Sequence, residues 1–328
     1  MIIDIHTHIS AMTAPRGFTS RKLLNSIAFR FMRWRLGMVG EDRATEDALV
    51  ERLLTTMAEA RTDAAVVLAF DAVYDESGQR SEERTHLYVS NDYVMELAGK
   101  HPRILFGASV HPYRPDAAKE LERCIAAGCV LMKWLPLTQD FDPADPRCIP
   151  LYEILAHHGV PLLSHCGGEA ALPRLRPITQ DPGRLEEALR RGVKVIVAHC
   201  GSKGVGGDPD YVPTFVRLVR QYENCYGDTA ALCLPNRWYA MYQLLEDPLV
   251  RTRLLHGSDW PIIAVPPLKR IGLAGMLRLW RERNWMRRDA LVKQALGFDD
   301  AYWHRAEKII RITESKRSEL LRETAGAV

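Results

Sequence analysis

Short apolar segments alternate with amphipathic segments along most of the chain. The runs "AAVVLAF", "CVLMKWL", "VPLLS" and "VKVIVA" are almost wholly apolar, which is typical of parallel strands covered on both faces. The pattern predicts eight strands, numbered 1 to 8 below, at residues 1–5, 64–70, 104–110, 129–135, 160–164, 193–198, 224–228 and 253–257.

Helical patterns lie between these strands. Residues 181–191 predict a capped helix that ends at Gly192. Two apolar stripes with helical spacing are formed by Leu49, Leu53 and Met57 and by Leu87, Val94 and Leu97. The repeated strand-then-helix order predicts a parallel sheet, and eight units favour closure into a (β/α)₈ TIM barrel of the α/β class. The competing prediction is an open doubly wound sheet, but no Gly-x-Gly-x-x-Gly turn follows strand 1.

The whole chain, 1–328, is predicted to be one domain, because no Gly/Ser-rich linker divides it. Two segments fall outside the repeat. Residues 10–44 form an insertion after strand 1, and residues 265–328 are expected to be C-terminal helices that close the barrel.

The insertion contains an apolar stripe with helical spacing, formed by Leu23, Ile27, Phe31, Trp34 and Met38. We favour a helix that packs this stripe on the barrel rim. The alternatives are a lid over the barrel mouth and a helix that binds a membrane surface.

Composition narrows the class of protein. The 328 residues are 47% hydrophobic, which is enough for one large core, and the net charge of +3 is too small to indicate a nucleic-acid partner. No apolar run is long enough for a membrane span, and the first residues do not resemble a signal peptide. Seven scattered cysteines without C-x-x-C spacing indicate reduced thiols. We therefore expect a cytoplasmic enzyme with a small-molecule substrate, and a homodimer stays an open alternative.

Polar residues with metal-binding chemistry cluster where the predicted strands end. Strand 1 runs into "DIHTH", which places His6 and His8 two residues apart and so on one face. Strands 5 and 6 end at His165 and His199, and strand 8 is followed by Asp259. In strand 4, Lys133 lies within an apolar run, where a charged amine is costly without a function or partner. The carboxyl ends of barrel strands are where such enzymes build their sites.

Other polar residues near these ends have weaker claims to a functional role. Strand alternation is expected to turn Cys166 and Cys200 away from the lumen. His111 and Glu169 are placed near the mouth, where contact with substrate and a purely structural role are equally compatible with the sequence. Two arginines, Arg16 and Arg174, are weak candidates for binding a substrate carboxylate.

Taken together, the motifs "DIHTH", "MKWLP", "LLSHCG", "IVAHCG" and "HGSDWP" resemble those of the amidohydrolase superfamily, from Met1 to about Pro261. The phrase "PADPRCIPLYEILAHHGVPLLSHCG" is most similar to the amidohydrolase-2 branch, which includes aminocarboxymuconate-semialdehyde decarboxylase.

The resemblance implies that His6, His8, His165 and Asp259 hold a first divalent metal ion. In two-metal members a carboxylated lysine bridges the cations, and Lys133, His165 and His199 match that second set. In one-metal members the residue matched by His199 instead acts in proton transfer or substrate polarisation. Nitrogen-rich ligands suit zinc, and one ion and two ions both stay open.

The predicted activity is metal-dependent hydrolysis of an amide, lactone or ester bond in a small, carboxylate-bearing molecule. Asp259 would accept the proton of the attacking water, and His199 or the metal would stabilise the oxyanion. The alternative is a metal-dependent decarboxylase or hydratase of an aromatic-derived acid. A barrel that binds metal without catalysis is a third alternative, which the carboxylate beside the ligands disfavours.

Overall fold

The computed structural model describes residues 1–325, so the last three residues of the predicted domain and C-terminal segment lie outside the described part. Eight parallel strands form one sheet in chain order, which confirms the eight predicted strands. Their bounds are Ile3–His8, Ala64–Leu68, Ile104–Ala108, Leu131–Trp134, Leu162–His165, Val195–Ala198, Cys225–Asp228 and Leu254–Leu255. Strand 1 begins and ends later than predicted, so that it carries both of its histidines.

Backbone hydrogen bonds join the first strand to the last. The Ile5 amide donates to the His256 carbonyl at 3.1 Å, and the His8 amide donates to the Trp260 carbonyl at 2.8 Å. A parallel bridge pairs Thr7 with Trp260 at the same edge. The sheet therefore closes, which confirms the predicted TIM barrel and rules out an open doubly wound sheet.

Strand alternation divides the core into two layers. One cluster fills the lumen and includes Ile3, Leu131, Leu163 and Ile196. The larger cluster lies between the strands and the surrounding helices, and it contains the strand side chains that alternate with those in the lumen. Cys166 and Cys200 are buried in this outer layer, as predicted. All seven cysteines are free and buried.

The α-helices of the described chain lie mostly between the strands or after the last one. Their bounds are Arg21–Leu24, Ile27–Leu36, Arg43–Ala60, Asn91–Lys100, Ala117–Ala126, Pro136–Gln139, Ile149–His158, Glu186–Arg190, Val212–Gln221, Trp238–Glu246, Pro248–Arg251, Leu268–Trp280, Trp285–Ala295, Asp300–Ile309 and Glu314–Ala325. Short antiparallel strands pair Gly17–Thr19 with Leu87–Val89 and Val73–Tyr74 with Arg80–Ser81.

Of the two predicted helical stripes, one is confirmed and the other is confirmed only in part. Leu49, Leu53 and Met57 are buried on one helix, as predicted. Leu87 is not helical, because it pairs as a strand with the insertion, and only Val94 and Leu97 of that stripe share a helix.

The segment predicted as one helix at residues 181–191 is also more complex. It begins as the 3₁₀ turn Pro182–Leu185, and the α-helix covers only Glu186–Arg190. The Asp181 side chain caps the turn by accepting from the Gly183 amide at 2.9 Å. Gly192 follows in a left-handed conformation, so the predicted end of the helical segment is confirmed.

The helices Asp300–Ile309 and Glu314–Ala325, within the predicted C-terminal segment, close the end of the barrel that holds the amino ends of the strands. Ala306, Ile310 and Leu320 pack against the lumen cluster. The amino group of Met1 binds the Glu307 carboxylate at 2.8 Å, so the first residue of the barrel is tied to this closing layer.

The prediction that one helix of the insertion packs its apolar stripe on the barrel rim is wrong. Asn25 and Ser26 interrupt it and separate two helices. Leu23 and Met38 are buried, but Ile27 and Trp34 in the second helix are 89% and 73% exposed. The helix Ile27–Leu36, called the lid helix below, instead turns Phe29, Met32 and Leu36 toward a cavity at the barrel mouth. Among the alternatives considered, this arrangement corresponds to a lid.

Candidate metal centre

A β-bulge in strand 1 aims two histidines into the barrel. Between Asp4 and Thr7 the strand carries one residue more than its partner strand does between Ala65 and Val67. Ile5 still faces the lumen, and after the bulge His6 and His8 face the same interior. Bulges re-aim side chains in this way near active sites.

The two imidazoles and one carboxylate converge at the carboxyl end of the barrel. The Nε2 atoms of His6 and His8 are 3.1 Å apart. The Oδ1 atom of Asp259 lies 3.1 Å from His8 Nε2 and 3.5 Å from His6 Nε2. Donors bound at 2.0–2.1 Å around a tetrahedral ion are separated by roughly 3.3 Å. The three side chains therefore suit one cation.

Asp228, at the end of strand 7, orients the first of these histidines. Its Oδ2 atom lies 2.6 Å from His6 Nδ1, and its Oδ1 atom accepts from the His199 amide at 2.7 Å. A carboxylate behind a metal-binding histidine fixes the tautomer that leaves Nε2 free. The sequence analysis missed Asp228, although a carboxylate that ends a barrel strand is the same signal that drew attention to Asp259.

Lys133 lies in the lumen beside these groups. Its side chain is buried, and its Nζ atom is 3.1 Å from His6 Nε2. Burial lowers the pKa of this amine to about 8, although the Asp228 and Asp259 carboxylates oppose the shift. A substantial neutral fraction at physiological pH is what reaction with CO₂ to form a carbamate requires.

His165 and His199 complete the polar group at the barrel mouth. Their ring centroids are 5.0 Å apart, and those of His199 and His6 are 5.2 Å apart. The Nε2 atom of His165 is buried without a hydrogen-bond partner. His199 Nδ1 lies 2.9 Å from the Ala230 carbonyl, so this nitrogen donates and Nε2 is left as an acceptor. Burial lowers the pKa of both imidazoles well below the usual value, which keeps them neutral.

Asp259 is the ionised carboxylate of the site. Burial alone would raise its pKa, but the adjacent His6 and His8 and the Arg237 guanidinium outweigh burial and hold the pKa at about 2. Arg237 itself is 5% exposed and donates to the Gly168 carbonyl at 2.7 Å, while its Nε and one terminal nitrogen have no partner. Sequence analysis missed it, because it lies in a loop without periodic pattern.

Two residues of the site have positive φ angles. His199 has φ 54° and Asp259 has φ 63°. Residues other than glycine seldom adopt this left-handed conformation, and such residues concentrate at functional sites. Each follows the end of a strand, where the turn aims the side chain toward the cluster.

The weaker candidates have structural partners. Arg16 pairs with Glu46 and Asp47, and Arg174 pairs with Asp208, so the contacts do not support either arginine as an anion receptor. His111 lies among aromatic rings, with Nε2 2.8 Å from the Gln139 carbonyl. Glu169 does reach the mouth, where its Oε2 atom is 3.8 Å from His165 Nε2.

The neutral imidazoles of His165 and His199, the rings of His6 and His8 and the ionised Asp259 carboxylate form a donor set that fits a divalent cation such as zinc. His6, His8 and Asp259 present their donors within 4.8 Å of one another, and this group does not include His165. Of the helices in residues 1–325, none is both long and apolar enough to span a membrane.

Comparison with known proteins agrees with this geometry. The amidohydrolase model of the amidohydrolase-2 type matches residues 3–302. A search of curated protein sequences finds no match. An uncharacterised TIM-barrel protein from Bordetella bronchiseptica is 16% identical, with a TM-score of 0.60 over 98% of this chain and 99% of that one.

Two further solved structures have named activities. A probable 2-pyrone-4,6-dicarboxylic acid hydrolase from Acinetobacter baumannii, with citric acid bound, is 18% identical, with a TM-score of 0.55 over 98% of this chain and 99% of that one. The 5-carboxyvanillate decarboxylase of Sphingomonas paucimobilis is 15% identical, with a TM-score of 0.50 over 95% and 99%. At these identities the likeness establishes the fold alone.

Proposed function

Because the chain belongs to the amidohydrolase-2 family, we propose that it is a metal-dependent hydrolase that cleaves an amide, lactone or ester bond of a small carboxylate-bearing molecule. The observation that carries this proposal is Lys133, a buried amine 3.1 Å from His6 Nε2. A decarboxylase with a single metal has no need of an amine that can become a bridging carbamate.

The residues divide into holding and reacting groups. His6, His8 and Asp259 would hold a first cation, with His165 as a further ligand if only one ion binds. If two ions bind, His165 would instead join carboxylated Lys133 and His199 in holding the second, because its one free nitrogen can ligate a single ion. When bound, zinc supplies Lewis-acid chemistry, which polarises a carbonyl and makes water far more acidic than in bulk. This donor set, with three or more imidazoles, favours zinc over magnesium or calcium.

The chain's own groups would move the proton. Asp259, ionised at neutral pH, accepts a proton from the attacking water and returns it to the leaving nitrogen or oxygen. In the net reaction, water adds to the carbonyl carbon, the bond to nitrogen or oxygen breaks, and an acid with an amine or alcohol is released. His199 faces the same cavity with an Nε2 atom that carries no proton, so it would serve as a ligand or a proton acceptor and leave stabilisation of the oxyanion to the bound cation.

The test is the metal dependence of two reactions in one protein. Protein stripped with a chelator and then reloaded with zinc is assayed on a panel of amides, lactones and esters and, separately, on aromatic acids for CO₂ release. Hydrolysis that disappears on stripping and returns with zinc supports the proposal. CO₂ release or hydration without hydrolysis would instead assign the decarboxylase or hydratase alternative. Metal binding without either activity would leave only a metal-binding barrel.

A further inference from the structure

A cavity of about 150 Å³ lies directly over the histidine cluster, and its wall is apolar. The lid helix covers it from above, and the loops that follow the barrel strands enclose its sides. The apolar side chains that matter here are Phe29, Met32, Leu36, Phe70, Leu135 and Leu172. An apolar cavity of roughly 150 Å³ accommodates a molecule of the size of benzene.

The charged residues on this wall offer no unpaired cation that could bind a second anionic group of a substrate. Arg33 is the one arginine among the described residues that line the cavity, and its guanidinium donates to the Gly40 carbonyl at 3.0 Å. It also lies 3.6 Å from the Glu41 carboxylate, so its charge is already paired. Glu169 adds a carboxylate that repels anions, and its Oε1 atom accepts from the Leu172 amide at 3.1 Å.

The cationic groups that remain lie at the floor of the cavity. Lys133 adjoins His6 there, and the buried Arg237, which does not line the cavity, acts on Asp259 through its charge. A substrate with one polar end would therefore place that end at the floor. Moving a second carboxylate from water to the apolar wall, without a partner, costs several kcal/mol.

We propose that the substrate is amphipathic, with its hydrolysable bond and its single carboxylate together at the histidine cluster and an aryl or short alkyl body between the lid helix and Leu172. This inference rests on the proposed function and narrows its substrate class to molecules without a second charged group on the apolar body. Phe29 and Met32 would determine specificity, because they supply the part of the wall that belongs to the insertion.

Binding of product analogues to the metal-loaded protein tests this without any turnover. Hexanoate and adipate have the same six carbons and differ in the second carboxylate. We expect isothermal titration to give hexanoate a dissociation constant at least about tenfold lower than that of adipate. Equal or tighter binding of adipate would overturn the proposal.

Two variants locate the effect on the lid helix. Phe29→Ala and Met32→Gln should each weaken hexanoate binding by about tenfold, the usual loss when a few apolar contacts disappear from a pocket. The matched control is Phe31→Ala, which removes a ring of the same type from the outer face of the same helix, where Phe31 is 44% exposed. Unchanged hexanoate binding in both inner variants, or an equal loss in the control, would contradict the assignment.

The outcome separates this proposal from the function it rests on. If hydrolysis proves metal-dependent but the best substrates carry two carboxylates, the substrate class is wrong and the function stands. If hexanoate is preferred while no hydrolysis is found, the cavity has been assigned correctly and the reaction has not.

Discussion

In the proposed mechanism the Asp259 carboxylate both holds a cation and accepts a proton, and a single substitution separates these two roles. Asp259→Asn keeps an oxygen ligand but removes proton acceptance, and three histidines remain to hold the ion. We expect metal content to stay near that of the wild type while hydrolysis falls by about 10²- to 10⁴-fold. Elemental analysis and turnover are measured on the same sample, and near wild-type turnover in the metal-loaded variant would refute the role.

If the proposed carbamate forms, Lys133 would determine how many cations the site holds. If its carbamate bridges two ions, Lys133→Ala should lose the second metal and most of the activity. Short carboxylic acids such as acetate or propionate in the buffer should then restore part of both, because a free carboxylate can occupy the bridging position. A wild-type protein with one equivalent of metal, an unmodified lysine and full activity would remove the support for two metals.

His111 makes stability depend on pH from a position outside the metal centre. Burial lowers its pKa from the usual 6.5 to about 4, and the hydrogen bond to Gln139 offsets only part of that shift. Above pH 6.5 the imidazole is neutral in both the folded and the unfolded chain, so it adds no pH dependence. As pH falls from 6.5 to 4, only the unfolded chain takes up the proton, and folding loses about 3 kcal/mol.

Replacing His111 with glutamine removes that proton uptake. Over this range the unfolding free energy of His111→Gln should fall less steeply with decreasing pH than that of the wild type, as measured by urea denaturation. Other buried histidines contribute to both proteins, so the difference between the two slopes isolates His111. Parallel slopes would show that its pKa is not depressed.

At the scale of elements, Glu46 fastens the insertion to the barrel. Its fully buried carboxylate, on the helix Arg43–Ala60, accepts from the Thr13 amide at 2.8 Å and from Arg16 at 2.9 Å. Glu46→Ala should leave the Met12 and Thr13 amides without their acceptor and Arg16 with Asp47 as its only carboxylate partner. We expect the unfolding free energy to fall by about 3 to 5 kcal/mol, as measured by denaturant titration.

The matched control for Glu46 is its neighbour. Asp47 binds the same Arg16 at 2.7 Å, but its side chain is 60% exposed. Asp47→Ala should therefore cost no more than about 1 kcal/mol. Similar losses in the two variants would mean that the pairing, rather than the burial, determines how firmly the insertion is held.

Secondary structure was predicted correctly for strands that are buried on both faces and incorrectly for the lid helix, which is partly buried on one face only. Four strands covered on both faces read as almost continuous apolar runs, and the repeated strand-then-helix order located the other four. The lid helix has apolar residues on both its inner and its outer face, and periodicity selected Ile27, Phe31 and Trp34 on the outer one. The break at Asn25 and Ser26 was equally hidden, because Ser26 acts as an N-cap only once the chain has turned.

At the scale of the whole molecule, one buried ion pair joins the C-terminal helices to the site end of the barrel. Lys293, fully buried on the helix Trp285–Ala295, pairs with Asp289 and donates to the Gly257 carbonyl at 2.8 Å. Gly257 lies just after strand 8 and two residues before Asp259. Lys293→Met should leave the buried Asp289 carboxylate without its cationic partner and lower the unfolding free energy by about 3 to 5 kcal/mol.

A double variant separates the pair from its packing. Lys293→Met with Asp289→Leu removes both charges and keeps apolar volume, so it should recover most of the loss, as buried pairs replaced by apolar groups often do. Thermal and chemical denaturation measure both variants beside the wild type. A double variant less stable than the single one would show that the charges are favourable on their own.

How much of the site could be predicted depends on whether strand order alone brings residues together that are distant in the sequence. The barrel and the convergence of His6, His8 and Asp259 follow from strand order, which puts every carboxyl end at one mouth. Asp228, which contacts His6, ends strand 7 and carried the same signal as Asp259, but it was passed over. Arg237 lies in a turn after that strand, and its approach to the site depends on a chain path that no local pattern records. The residues that orient the site were therefore missed, while most of those that fill it were found.

The left-handed backbone at His199 and Asp259 has a consequence for how this protein can change. Each such conformation costs about 1 kcal/mol that glycine would not incur, and the barrel bears that cost while it aims two side chains at the histidine cluster. Selection for heat resistance alone would therefore find its easiest gains at these positions, by giving up the chemistry. A descendant freed from its reaction should lose these side chains early and become more robust, while its fold stays unchanged.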